Sequence, residues 1–240
     1  MTRVRDILGP FFHVAVCIHH IYAIFYSNKP KDLSQVIDER VLNMERFAPV
    51  YFTSWNMVIQ TLYFLLAMLY DILHIFTRQS NLEGKIQLYK GYIFTSLVFP
   101  CSLFVSAMFW SVYSINREWV LPEVLDEYVP EWLNHCLHTN IVVFLVIEVL
   151  IVNQLLPTFK SAFIGLTILS TIYNTTFLCV YFSSGKWIYG LFYIFSWPER
   201  IAFMCSNYLF TVMIMKAGIK IQSLKHKLIR TTLQKKVKNQ

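Results

Sequence analysis

Charged residues are scarce in this sequence. Asp, Glu, Lys and Arg together make up 15% of the 240 residues, and hydrophobic residues make up 56%. An ordinary soluble domain carries about 25% charged residues. The mean hydropathy of +0.48 points the same way. The composition therefore excludes a soluble globular domain and indicates a membrane protein.

Several signatures of common function classes are also missing. The chain has no Gly-rich phosphate-binding loop and no Gly-x-Ser-x-Gly elbow, which argues against nucleotide-binding and ordinary serine-hydrolase folds. No stretch rich in Gly, Ser or Pro divides the chain, so we expect a single domain over residues 1–240. All five cysteines fall inside apolar stretches, so we expect no disulfide framework.

Long apolar stretches dominate what is present. Six of them reach or approach the roughly 18 to 20 residues that a helix needs to cross a bilayer: residues 7–25, 49–75, 91–113, 133–156, 162–182 and 198–215. The sequence thus predicts an all-α fold, a polytopic membrane helix bundle of about six transmembrane helices. The first stretch could be a signal peptide, but histidines and Pro10 interrupt it and no clear cleavage site follows, so we expect a retained helix.

Basic residues are distributed unevenly between the two sides of this bundle. With both termini in the cytosol, 14 Lys and Arg fall on the cytosolic side and 7 on the opposite side, as the positive-inside rule favours. Residues 216–240 then form a basic cytoplasmic tail facing anionic membrane lipids, and the net charge of +7 requires no nucleic acid. Lys236 and Lys238 resemble a dilysine retrieval signal, so we expect the endoplasmic reticulum or another endomembrane, with the cell membrane as the alternative.

A polar cluster, Asn134-His135-Cys136-Leu137-His138-Thr139, enters the fourth apolar stretch. Polar groups in a segment of hydrocarbon length cost free energy unless they are used, so the cluster is a candidate site. On a helix, Asn134 and His138 are four residues apart and share a face. Asn134 could therefore orient the His138 imidazole. A neutral imidazole keeps a lone pair and can act as a general base.

The cluster has no nucleophile of its own, but the second apolar stretch supplies a candidate. That stretch starts on the same side of the membrane and carries Thr53-Ser54-Trp55-Asn56 in its first two turns. Thr53 and His138 each lie five residues after their helix start, so at about 1.5 Å per residue they lie at equal depth. A contact between them is geometrically possible. The alternative is that the Thr53 hydroxyl bonds a backbone carbonyl or a neighbouring helix.

Histidines in a six-span protein also suggest a haem or metal centre. A haem needs axial histidines on facing helices, and the third and fifth stretches contain none. A zinc site needs three or four converging ligands, whereas His135 and His138 supply two on one face. We therefore expect no cofactor and no metal.

The remaining ionisable residues in the apolar stretches have simpler interpretations. We interpret His19, His20 and His74, together with His226 beyond the sixth stretch, as amphipathic anchors near a membrane interface. Asp71 and Glu148 are candidates for an ion path. The Gly- or Pro-broken helix pairs typical of transporters are not evident, however.

The residues from Phe99 to Thr139 contain a dense set of short motifs that resemble those of a known protein family. It comprises Phe99-Pro100, Phe104-Val105, Phe109-Trp110, Arg117-Glu118, Pro122, Leu125-Asp126, Pro130 and Trp132-Leu133-Asn134-His135-x-x-His138-Thr139, and Val58-Ile59-Gln60 and Gly185-x-Trp187-x-Tyr189 extend it. With these residues the chain resembles the family of androgen-induced gene products and androgen-dependent TFPI-regulating proteins. The resemblance covers roughly residues 47–215.

The resemblance implies an integral-membrane threonine hydrolase that cleaves fatty acid esters of hydroxy fatty acids. Carried over by position, the nucleophile falls on Thr53 and the catalytic histidine on His138. From the residues themselves we expect Asn134 and His135 to support this pair, by orienting the base or holding the oxyanion, and Ser54 is a competing candidate for the nucleophile. The ester would enter from the bilayer, and protein partners stay unknown. The alternative is a non-enzymatic membrane protein that regulates or scaffolds partners.

Overall fold

The computed structural model describes residues 2–77 and 81–238, with side chains from Leu8 onward except at positions 77, 233 and 236–238. This part of the chain is 85% helical and contains no strand. The helices are α1 (Thr2–Ser27), α2 (Glu39–Phe47), α3 (Phe52–Thr77), α4 (Asn81–Ile93), α5 (Phe99–Ile115), α6 (Glu131–His135), α7 (Ile141–Ile151), α8 (Phe159–Ser184), α9 (Leu191–Ile194) and α10 (Trp197–Lys238).

Among the described residues, six helical segments are long and apolar enough to cross a membrane. They are Leu8–Ser27, Glu39–Phe76, Asn81–Ile115, Glu131–Ile151, Phe159–Ser184 and Trp197–Thr232. The predicted all-α, six-helix membrane bundle is thereby confirmed. The protein is a multi-pass integral membrane protein.

The cytosolic position of both termini and the organelle stay predictions. Much of the sequence argument for them depends on residues outside the described part of the chain. These are Arg78 and the side chains of Arg3, Arg5, Lys236 and Lys238.

The third span begins ten residues earlier than the sequence predicts. α4 starts at Asn81 and continues into α5 through a π-helical turn at Phe94–Val98. Lys90, which the sequence assigned to a loop, is consequently buried inside the bundle, and its ammonium lies 4.9 Å from the centre of the Tyr70 ring. Cation–π contact is one way to hold a cation in such surroundings.

The fourth span ends at Ile151 rather than at Leu156. Residues 152–157 are not helical, in keeping with Pro157, which disfavours a helical conformation at the residue before it. This segment passes directly over Gly91, where a Cβ atom would lie only 2.0 Å from the Leu155 carbonyl oxygen. Only glycine admits so close an approach of two backbones.

The basic tail is not a separate segment, because α10 continues unbroken as far as Lys238. The Lys225 ammonium donates to the carbonyl oxygens of Val149 and Val152, at 2.5 and 2.8 Å. These carbonyls lie at the end of α7, where helix carbonyls lack partners within the helix and favour a cation. Lys225 therefore caps α7 from the neighbouring helix.

The segments on the side opposite the termini form a structured layer over the bundle, which we call the cap: residues 28–51, 116–130 and 185–196. In its core, Leu121 and Leu125 pack against Val41 and Phe109. Arg40 bridges to Glu118 at 2.9 Å, and Lys186 pairs with Glu39. The connector before α6 is thus ordered.

Candidate active site

Thr53 and His138 meet at the cap end of the bundle. Thr53 lies in the first turn of α3, and His138 lies in a π-helical turn, Cys136–Asn140, that joins α6 to α7. The Thr53 Oγ1 atom is 3.2 Å from the His138 Nε2 atom. The second and fourth spans therefore pack together so that the contact considered possible from equal depth is present.

Asn134 holds the other side of the imidazole. The His138 Nδ1 atom lies 2.7 Å from the Asn134 side-chain oxygen and 3.1 Å from its backbone oxygen. Because a backbone oxygen only accepts, Nδ1 carries the proton and donates, whichever way the amide is turned. A neutral His138 then has its lone pair on Nε2, which faces the Thr53 hydroxyl. This geometry agrees with an orienting role for Asn134.

Aromatic packing fixes the plane of the ring. The Phe109 and His138 rings are parallel to within 9°, with centroids 3.5 Å apart. Both His138 and Asn134 are buried, with 7% and 6% of their surface exposed. The imidazole is therefore held by one stacking contact and by hydrogen bonds at both nitrogens, which leaves it little freedom to leave the hydroxyl.

His135 is not brought to this pair. Its Nδ1 atom lies 3.0 Å from the Thr139 hydroxyl, and its ring stacks on Trp110 with centroids 5.4 Å apart. The helix between His135 and His138 enters a π turn, which inserts an extra residue and breaks the regular spacing assumed from the sequence. His138 consequently contacts Thr53, whereas His135 contacts Trp110 and Thr139.

Ser54, the competing hydroxyl, is already engaged. Its Oγ atom donates to the Ala48 carbonyl oxygen at 2.7 Å. A backbone acceptor of this kind is the ordinary partner of a hydroxyl near a helix start. Of the two adjacent hydroxyls, only that of Thr53 is hydrogen-bonded to an imidazole.

The pair lies in the wall of a cavity of about 300 Å³. The cavity lies beneath the cap among α3, α5, α8 and α10, and it is lined mostly by apolar and aromatic side chains, including Phe52, Phe104 and Phe177. A few polar side chains, among them Asn174 and Asn207, also line it. An apolar cavity with a few convergent polar groups is the usual form of a small-molecule site.

Two half-buried tyrosines in the cavity wall were not singled out from the sequence. The Tyr189 phenol oxygen accepts a hydrogen bond from the Phe52 backbone N–H at 3.1 Å, and it lies 3.1 Å from the Tyr173 phenol oxygen. Burial raises the pKa of the Tyr189 phenol, so it stays protonated. The Gly185-x-Trp187-x-Tyr189 string of the family resemblance was the available signal.

Comparison with known proteins agrees with the resemblance. Residues 9–223 match the family described as FAR-17a/AIG1-like protein. The chain belongs to this family. It is 30% identical over 223 residues to the androgen-dependent TFPI-regulating protein of Homo sapiens, across 88% of this chain and 93% of the relative.

Two further relatives give similar values. The chain is 32% identical over 163 residues to the androgen-induced gene 1 protein of Homo sapiens, across 65% of this chain and 68% of the relative. It is 30% identical over 178 residues to the androgen-dependent TFPI-regulating protein of Mus musculus, across 73% and 76%. No solved structure matches the chain.

A second polar cluster lies deeper in the helix bundle, in the half away from the cap. His13 bridges two acidic side chains: its Nδ1 atom lies 2.5 Å from Asp71 and its Nε2 atom 2.9 Å from Glu148. Tyr63 and Gln154 also donate to Glu148. Asp71 and Glu148, interpreted as candidates for an ion path, are thus joined by His13 in an internal hydrogen-bonded network.

The interpretation of His19 and His20 as interfacial anchors was wrong. His20 is completely buried and its Nε2 atom lies 2.8 Å from the Gln60 side-chain oxygen. His19 lies 3.1 Å from the Asn140 amide nitrogen. His13 and His20 are seven residues apart, a spacing that returns to the same helix face, and this was the signal that α1 turns histidines inward.

Within the described residues, no group of three or more His, Cys, Asp or Glu side chains is arranged to hold a metal ion. The groups that the structure brings together at the cavity wall are a hydroxyl, an imidazole and the amide that holds it.

Proposed function

We propose that this protein is an integral-membrane hydrolase of lipid esters, with Thr53 as nucleophile and His138 as general base. The observation that carries the proposal is the 3.2 Å approach of the Thr53 hydroxyl to the His138 Nε2 atom in the wall of an apolar cavity. A nucleophile, a base beside it and a third group that orients the base form the usual arrangement for covalent catalysis.

The first half of the reaction transfers the acyl group to the enzyme. A threonine hydroxyl is a weak nucleophile until a base takes its proton. As Oγ1 attacks the ester carbonyl carbon, His138 Nε2 accepts that proton and Asn134 keeps hold of the Nδ1 proton. His138 then protonates the departing alcohol oxygen. An acyl ester on Thr53 remains in the cavity.

The second half releases the fatty acid. His138 removes a proton from a water molecule, and the resulting hydroxide attacks the acyl carbon on Thr53. The proton returns through His138 to the Thr53 oxygen as the ester bond breaks. The products are a free fatty acid and the original pair of residues, so that no cofactor is consumed.

We take the substrates to be fatty acid esters of hydroxy fatty acids that enter from the bilayer. Such esters have two long hydrocarbon chains and one ester group between them. The apolar and aromatic cavity wall suits the chains, and the position of Thr53 near the cap brings the ester group toward the polar edge of the membrane. The family resemblance supports the same choice.

We further propose that both termini lie in the cytosol and that the protein resides in the endoplasmic reticulum or another endomembrane, with the cell membrane as the alternative. The excess of basic residues on the side of the termini supports this orientation. Protease digestion of intact membrane vesicles would remove an epitope tag at either end in this arrangement, and protection of both tags would reverse it.

Turnover by the purified protein tests the hydrolase. A branched fatty acid ester of a hydroxy fatty acid is incubated with the wild-type protein and with its Thr53→Ala, His138→Ala and Ser54→Ala variants, and the released fatty acid is measured. We expect product from the wild-type protein and from Ser54→Ala, and background from the other two. Equal turnover by all four proteins would overturn the site assignment.

A regulatory role is the second candidate. It is favoured by the name of a relative from Homo sapiens, which describes a protein that regulates TFPI. This role predicts no turnover by the wild-type protein. It also predicts that a bound protein partner co-purifies equally with the wild-type protein and with the Thr53→Ala and His138→Ala variants.

A further inference from the structure

The tyrosine pair Tyr173 and Tyr189 contains one more hydrogen-bond donor than it uses. Three hydrogens meet at two phenol oxygens: that of the Phe52 backbone N–H and those of the two phenols. The Phe52 N–H donates to Tyr189, and one phenol donates to the other across 3.1 Å. Whichever phenol is the donor in that bond, the other phenol keeps a hydrogen with no acceptor among the described residues.

The apolar surroundings make this spare hydrogen costly to leave unused. Both tyrosines are half-buried and line the mostly apolar cavity that holds Thr53 and His138. A hydroxyl that faces apolar side chains without an acceptor loses free energy relative to water. The rings cannot turn away to find a partner, because Tyr189 packs against Tyr51 and Tyr173 packs against Phe52, with ring centroids 5.4 and 4.6 Å apart.

The loop that carries Tyr189 is itself fixed in place. A Cβ atom at Gly190 would lie 3.1 Å from the Glu118 carbonyl oxygen and 3.3 Å from the Trp119 backbone. The backbone of the cap segment at Glu118 and Trp119 therefore packs closely against the loop directly beside Tyr189. This packing restricts the movement of the phenol. A group that stabilises charge in a transition state must be fixed in place beforehand.

The position of the pair matches what the reaction lacks. Phe52, which bonds Tyr189, directly precedes Thr53 in the chain, whereas His138 reaches Thr53 from the fourth span. The pair and the base therefore come to the start of α3 from different elements. Attack by the Thr53 oxygen opens the carbonyl double bond and moves an electron pair onto the carbonyl oxygen, which then needs a donor.

We infer that the spare phenol hydrogen of the Tyr173 and Tyr189 pair donates to the ester carbonyl oxygen and stabilises the oxyanion formed there. This inference rests on the proposed hydrolase function. No proton is transferred in the step: the phenol keeps its O–H bond and shares the hydrogen with the oxyanion until the carbonyl re-forms. The pair thereby takes the oxyanion role that the sequence offered to Asn134 or His135.

Phenylalanine substitutions test the inference. Tyr173→Phe with Tyr189→Phe removes both phenols, and we expect kcat to fall by about 10²- to 10³-fold, the usual effect of losing an oxyanion donor, with KM nearly unchanged. Each single variant keeps one free hydrogen on a less firmly held phenol, so we expect intermediate losses. Tyr181→Phe, which removes a phenol from the same helix as Tyr173 but outside the cavity wall, is the matched control and keeps wild-type kcat.

A trifluoromethyl ketone analogue of the ester supplies a second measurement that a purely structural role would not change. Its adduct with Thr53 carries an oxyanion, so its affinity should fall in parallel with kcat across the variants while KM stays level. Wild-type kcat in the double variant, or wild-type ketone affinity in both single variants, would overturn the inference and leave the hydrolase intact. Absence of turnover by the wild-type protein would instead overturn the proposed function itself.

Discussion

Two buried histidines of this protein lie in opposite halves of the bundle, His138 beside the cap and His13 near the side of the termini. His138 has neutral partners, an amide on one nitrogen and a hydroxyl on the other. His13 has a carboxylate on each nitrogen. When both carboxylates are ionised they only accept, so both nitrogens of His13 then donate and the ring has no lone pair to offer.

The two histidines also differ in the size of the cavity that each one borders. His138 lies in the wall of a cavity of about 300 Å³, whereas His13 borders one of about 60 Å³. The first is large enough for part of a lipid ester, and the second holds a few water molecules at most. The comparison teaches that burial of a histidine does not indicate its role, and that the partners of its two nitrogens do.

The largest effect that separates the two regions is expected from His138→Gln. Loss of the base should lower kcat by about 10⁴-fold or more, as in other nucleophile and base pairs. The unfolding midpoint in detergent should change little, because glutamine keeps a polar group beside Asn134. Turnover of the lipid ester and a thermal unfolding curve measure the two quantities. A variant that retains most of its turnover would show that His138 is not the base.

His13→Ala should have the opposite profile. Removing the imidazole from this buried network takes one hydrogen-bonding partner from Asp71 and one from Glu148, which we expect to cost about 3 to 5 kcal/mol of folding free energy. The folded fraction should keep wild-type kcat, because the network does not touch the cavity. Denaturant unfolding in detergent gives the first value. An unchanged stability would contradict the interpretation of this cluster as a hydrogen-bonded network.

Asn134→Ala should have a smaller effect on turnover than His138→Gln. Without the side-chain oxygen, His138 Nδ1 keeps only the longer bond to the Asn134 backbone oxygen. A lost hydrogen bond of this kind costs about 1 to 3 kcal/mol, or roughly five- to 150-fold in kcat. Asn134→Asp keeps an acceptor at the same place and is the matched control. Equal turnover by the alanine and aspartate variants would remove Asn134 from the mechanism.

Lys225→Met should give the smallest change, and only in stability. It removes the ammonium that caps the end of α7 while keeping a long apolar side chain, so we expect a loss of about 1 to 2 kcal/mol. Turnover should stay at the wild-type value because Lys225 lies far from the cap. The change is measured by the unfolding midpoint, with Lys227→Met as a control on the same helix. Equal midpoints in the two variants would argue against the cap on α7.

Much of the candidate site could be predicted from the sequence, and some of it could not. Thr53, His138 and Asn134 were found because polar residues are conspicuous at the start of apolar stretches and helical spacing is local. His135 was placed on the wrong face because a π turn is not visible in the spacing. Tyr173 and Tyr189 were passed over because a tyrosine among apolar residues looks like any other aromatic core residue.

The ends of the spans show the same division. Composition located all six, because the cost of placing charge in hydrocarbon is nearly additive along a helix. It put Lys90 outside the bundle because it counted the charge without the Tyr70 ring that lies against it. It ran the fourth span past Ile151, although the Leu155 backbone leaves the helix to pack on Gly91.

The class of this protein, its six spans and the polar residues at the starts of the second and fourth follow from the sequence, because each depends on local composition and helical periodicity. The side-chain pairings depend on the packed bundle instead: Thr53 faces His138, Ser54 does not, His135 stacks on Trp110, and His13 joins Asp71 to Glu148. Those pairings join residues as many as 135 positions apart. They depend on which helices pack together, and that is settled by the free energy of the whole bundle.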